Sequence, residues 1–117
     1  MLDGYSNIQV HIVNGLTIRN EIEIEYTMGG NWMVYDFIPE NEIWLDSCLC
    51  PDDKLATLWH EIVESSWMLE GLNYNDAHDL ASIAERLIRQ WIIDENIGVT
   101  EQNIKQMFNK YIDLNNN

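Results

Sequence analysis

Residues 51–94, PDDKLATLWHEIVESSWMLEGLNYNDAHDLASIAERLIRQWIID, read as two helices joined by a short break, and that reading decides the fold. Pro51-Asp52-Asp53 is a helix start: proline suits the first turn, and the aspartates complement the positive end of the helix dipole. Leu55, Leu58, Ile62 and Leu69 then recur as an apolar stripe and carry the helix to about residue 70. The run Gly71-Leu72-Asn73-Tyr74-Asn75 breaks it. A second helix follows over about 75–94, with Asp76 and Asp79 serving its N-terminus and with Leu80, Ala84, Leu87 and Trp91 as its core face. So short a connection predicts an antiparallel helical hairpin.

Inside this hairpin, metal-capable side chains interrupt the apolar pattern. His60 and Glu64 are four residues apart, so on a helix an imidazole nitrogen and a carboxylate oxygen face one point in space. Glu61, rotated by roughly 100° from His60, stands beside that point without ligating. The spacing is that of the zinc-metallopeptidase helix H-E-x-x-H with Glu64 in place of the second histidine. A catalytic zinc takes three protein ligands and keeps a fourth position open. His78, near the start of the second helix and facing back toward the first, is the candidate third ligand. Ala81 and Ser82, one turn beyond it, are small enough for the helices to approach closely. Glu85 is a candidate partner of the site, although pairing with Arg89 is its favoured use. The competing account makes His60 and Glu64 a plain i,i+4 contact, worth only about 0.2–0.5 kcal/mol. Trp59, Ile62 and Val63 argue against it: they flank the polar pair closely enough to desolvate it, and an unpaired buried carboxylate is costly. A cation satisfies both groups.

The run from Glu42 to Asn96, EIWLDSCLCPDDKLATLWHEIVESSWMLEGLNYNDAHDLASIAERLIRQWIIDEN, resembles the short phage and prophage proteins of the minimal zincin superfamily, the ImmA/IrrE-like metallopeptidases. In these a strand ending in Asp is followed by a Pro-acidic turn, a Thr-Leu-x-His-Glu helix and a second helix with the last ligand. One phage branch is similar in carrying His-Glu-x-x-Glu and then a distant His, which maps onto His60, Glu61, Glu64 and His78. The resemblance covers about half the chain and departs at Trp59 and at Ser65-Ser66-Trp67. It implies a minimal zincin-like fold and a peptide or protein substrate laid along an edge of the sheet.

The rest of the chain bears on class and partners. The 117 residues suit one domain, over 1–114 with a disordered tail at 115–117, and a hydrophobic fraction of 46% is enough for a core. Six basic residues against 20 acidic ones give a formal net charge of −14. That surface repels nucleic acid and anionic membranes and favours basic partners, such as a host protein with a basic surface. No run approaches the roughly 18 apolar residues of a membrane helix. Cys48 and Cys50, with no leader sequence before them, read as reduced thiols of a cytoplasmic protein, in the host cytoplasm if phage-encoded.

N-terminal to the hairpin, after a loose lead-in over the first six residues, residues 7–13 alternate polar and apolar as a half-buried strand, with His11 on its exposed face. Asn14-Gly15 is a hairpin-type turn signal, 16–27 alternate again, 28–31 (MGGN) make a second turn, and 32–37 form a third strand, apolar on both faces and so central. A short run at 42–46 completes a small, mostly antiparallel sheet of three to four strands placed before the helices, an α+β arrangement. A last helix over 101–113, capped by Thr100, presents Ile104, Met107, Phe108, Tyr111 and Ile112 as one stripe.

Two functions are carried forward from the sequence. In the first, His60, Glu64 and His78 hold Zn²⁺, which brings a water's pKa toward about 7, and Glu61 takes a proton from that water as it attacks a peptide carbonyl. Tyr35 and Tyr74 are candidate oxyanion stabilisers. In the second, an acidic domain with five tryptophans acts by binding, as a host-factor inhibitor or nucleic-acid mimic on a zincin-like scaffold.

Overall fold

A computed structural model of the chain describes residues 8–23 and 26–95. The elements run β1 (Gln9–Val13), α1 (Gly15–Glu21), β2 (Gly29–Asn31), β3 (Glu42–Asp46), α2 (Pro51–Leu69) and α3 (Tyr74–Glu95). The fold is α+β. The lead-in, the helix expected over 101–113 and the tail lie outside the described residues.

β3 is the centre of a mixed three-stranded sheet ordered β1-β3-β2. It pairs in parallel with β1, Gln9 opposite Glu42 through Val13 opposite Asp46, and antiparallel with β2, Gly29 opposite Leu45. The central position explains its composition: Ile43 and Leu45 are fully buried. They meet Leu55, Leu58 and Ile62 of α2, with Ile8 and Ile92 closing the same core. α2 thus lies between sheet and α3. Asn73 caps α3, its Oδ1 accepting the Asp76 N–H at 2.9 Å. Among the described residues, no helix is long and apolar enough to cross a membrane.

The N-terminal half departs from the sequence reading, and each departure has a local cause. Asn14-Gly15 opens a helix instead of a hairpin: Asn14 Oδ1 accepts the Thr17 N–H at 3.2 Å, and α1 replaces the strand expected from residue 16. Ile18 and Ile22 are four apart, a spacing that shares a face in a strand and in a helix alike, so the alternation did not discriminate. Gly15 is there for space, since a Cβ would overlap the Asp46 carboxylate. Likewise the glycines of 28–31 mark close approach and not a turn. A Cβ on Gly29 would come within 2.8 Å of the Trp44 carbonyl oxygen, and the segment pairs as β2.

The strand expected over 32–37 is a series of turns. Asn31 ends β2 by accepting from the N–H groups of Val34 and Tyr35 on its carbonyl and of Met33 on its side chain. The aromatic residues that suggested a central strand instead form a cluster, with the Phe37 ring tilted against those of Tyr35 and Trp44 at centroid distances of 5.1 and 5.8 Å. Because β1 joins β3 in parallel, the sheet is mixed and not mostly antiparallel; α1 and β2 occupy the long crossover that parallel pairing needs.

Both long helices match expectation in extent, but the phase of α3 does not. Leu80, Leu87 and Trp91 are exposed, at 37, 67 and 37%, and so is Leu69 of α2. The inward face is Ala77, Ala81 and Ile92, with Ile88 packed beside them. Small alanines let α3 lie close against α2, which a leucine face would not.

Candidate metal centre

The close approach of α2 and α3 brings His60, Glu64 and His78 together. Glu64 Oε2 lies 3.2 Å from His60 Nε2 and 2.8 Å from His78 Nδ1, and the two ring nitrogens are 3.2 Å apart. Ligand atoms on a tetrahedral ion with bonds near 2.0–2.1 Å are about 3.3 Å from one another. The three atoms therefore already form the base of such a tetrahedron, and His60, Glu64 and His78 constitute a metal-capable cluster. His78 enters by Nδ1.

His60 Nδ1 is 2.9 Å from Glu85 Oε1, so a neutral ring that gives its Nδ1 proton to that carboxylate would turn a lone pair at Nε2 toward the cluster, the tautomer a cation needs. An ionised Glu64 can only accept. Without an ion, ring protons bridge His60 and His78 to Glu64; a cation would take their place among the three acceptor atoms. Glu85 is held in turn by Arg89 Nε at 3.0 Å, whose Nη1 reaches Asp53 Oδ1 at 2.6 Å. Both uses of Glu85 considered from sequence are realised together.

Glu61 is buried beside the cluster. Burial, then the Glu64 charge, pushes its carboxyl up to about 7, against the opposing pull of Asn31 and His60. Burial works in the same direction on Glu64, but hydrogen bonds from His60 and His78 outweigh it and hold that carboxyl below the ordinary range. For His60, burial favours the neutral ring, yet the Glu64 hydrogen bond and the charges of Glu61, Glu64 and Glu85 raise its pKa overall. Two neighbouring carboxylates are thereby split into an acceptor that stays ionised and a base that titrates near neutrality.

Asn31 was not found from sequence. It is fully buried at the end of β2, and its Nδ2 donates to Glu61 Oε2 at 2.6 Å and to Glu64 Oε1 at 3.2 Å. With Oδ1 accepting the Met33 N–H at 2.9 Å, every polar group of the amide has a partner, and its orientation is determined. Nothing local marks it, because its partners lie 30 and 33 residues away.

The cluster opens on a cavity of about 270 Å³. Met28, Gly29, Val34 and Tyr35 line it from the sheet side, and Tyr74, His78 and Ser82 from α3. Residues outside it are equally clear. His11 pairs with Glu42 at 3.4 Å on the sheet, and Cys48 and Cys50 are exposed free thiols before α2, Cys50 donating to Asp53 at 3.3 Å.

Compared with models of protein families, with curated proteins and with solved structures, the chain matches none of them.

Proposed function

We propose that the protein is a metal-dependent peptide hydrolase of the minimal zincin kind, the phage-type branch that its helical hairpin resembles. His60, Glu64 and His78 hold the ion, Zn²⁺ by the chemistry of the donor set: two imidazoles and a carboxylate are a known catalytic zinc combination. The observation that carries this reading is the triangle of ligand atoms with sides of 2.8–3.2 Å, with a buried carboxylate beside it at the floor of an open cavity. An ion held there supplies polarisation of a water and of a carbonyl oxygen. Glu61 does the proton work, taking a proton from water at the floor and passing it to the departing amine, a task that suits a carboxyl near 7. Asn31 keeps Glu61 turned toward that floor. β2 is an outer strand of the described sheet and its Gly29 lines the cavity, which supports an extended peptide as the substrate. The exposed thiols suit a reducing cytoplasm.

The test has two stages. Purified protein is expected to carry about one zinc per chain by elemental analysis, and His78→Ala to lose most of it; a wild-type chain that binds no divalent ion refutes the proposal. Wild type is then incubated with a mixed peptide library, where cleavage that disappears in a metal-retaining Glu61→Gln variant supports hydrolysis. The net charge of −14 favours a second reading, binding to a basic host protein. A salt-sensitive complex that survives Glu61→Gln, without cleavage, selects that reading.

A further inference from the structure

Resting on the metal-site reading above, we infer that Tyr74 is a catalytic residue of this centre, its phenol donating a hydrogen bond to the oxygen of whatever carbonyl or anionic group docks beside His60, Glu64 and His78. Tyr74 opens α3 one turn before His78, and its ring lies against that imidazole at a centroid distance of 5.3 Å and an angle of 32°. The hydroxyl is 3.4 Å from His78 Nδ1, the same nitrogen that faces Glu64 and His60. It therefore sits at the rim of the ligand triangle, while the residue remains 43% exposed and lines the open cavity. Core packing does not account for such a tyrosine.

The present partner of the hydroxyl is the ring nitrogen that the ion would use. Once Nδ1 is committed to a cation, the O–H must turn to another acceptor, and a docked ligand brings one. The need for such a donor is visible in the lining: no lysine or arginine faces the cavity among the described residues, while Glu61, Glu64 and Glu85 do. Apart from the ion, the charged side chains that developing negative charge on a substrate oxygen would meet are carboxylates. Tyr35, the other tyrosine of the lining, has its ring packed against Phe37 and Tyr26 at 5.1 and 5.9 Å.

The probe is acetohydroxamate, a small zinc-binding anion whose oxygens would sit in the open position. Full-length protein is loaded with Co²⁺, and visible absorption follows first the metal and then the probe in wild type, Tyr74→Phe and Tyr74→Ala. Tyr74→Phe keeps the ring against His78 and removes only the donor. Expected are unchanged Co²⁺ affinity and a hydroxamate affinity lower by about tenfold or more, as for a lost hydrogen bond to a charged group; Tyr74→Ala should be at least as weak. Equal hydroxamate affinity in wild type and Tyr74→Phe overturns the assignment. So does a loss of Co²⁺ affinity in Tyr74→Phe, which would make the phenol a support of His78. Failure of wild type to bind Co²⁺ instead refutes the metal centre itself.

Discussion

Replacing Asn31 with alanine removes a buried amide that three groups rely on. The Glu61 bond is short, 2.6 Å, and is to a buried charge; bonds of that kind contribute about 1.5–3 kcal/mol. The Glu64 bond is longer, 3.2 Å, and Glu64 retains both histidines, so its loss is set at about 0.5–1 kcal/mol. The Met33 N–H loses an acceptor near the surface, where water replaces it. Together these give a loss of about 3 kcal/mol, a large part of the roughly 5–15 kcal/mol typical of a domain. The melting temperature should fall by about 10–15 °C. The pH dependence gives an independent handle. In metal-free wild type, Glu61 has a folded pKa raised to about 7, so its contribution is fully present below the unfolded value of 4.5 and is lost as pH rises through 7. Asn31 opposes that rise, so without it the folded pKa climbs further and the penalty at high pH grows. Urea melts of chelator-treated wild type and Asn31→Ala at pH 5 and pH 8 are the assay. A larger stability difference at pH 8 is expected. A difference below about 0.5 kcal/mol at pH 8, or a larger one at pH 5, refutes the clamp.

Two further outcomes follow from other parts of the structure. Glu85→Ala frees His60 Nδ1 and leaves the ring without its orienting acceptor, so zinc affinity measured by chelator competition should fall about 10–100-fold with the fold retained. Ile92→Ala should cost about 2–4 kcal/mol, whereas Leu87→Ala should change stability by less than about 0.5 kcal/mol; the reverse order in thermal melts would mean that α3 is turned the other way.

The helical hairpin and the meeting of His60, Glu64 and His78 were legible because their signals are local. Pro51 and the aspartates mark a start, Gly71 and Asn73 a break, and the four-residue step from His60 to Glu64 specifies a shared face. What failed was information carried by distance. Asn14-Gly15 and Gly29-Gly30 look like turns to a local reader, but Gly15 and Gly29 answer to atoms of β3, Asp46 for one and the Trp44 carbonyl for the other, and Gly30 to the ring of Tyr35. Asn31 answers to α2. The face of α3 was misread because large apolar residues were taken for the core, when the contact with α2 required the small ones.

The parallel pairing of β1 with β3 makes the centre a composite of near and far. Its His60, Glu64 and His78 atoms come from positions at most 18 residues apart on one hairpin, whereas Asn31, the partner of Glu61, arrives from an excursion 30 residues upstream. Closing the short loop costs less entropy than closing the long one. During refolding, the His60–Glu64–His78 cluster is therefore expected to assemble first, so that the proposed centre would take up metal in chains whose Glu61 has yet to be oriented. Pulsed refolding in the presence of Zn²⁺, with metal uptake running ahead of Trp44 burial, would reveal that order, and simultaneous appearance would exclude it.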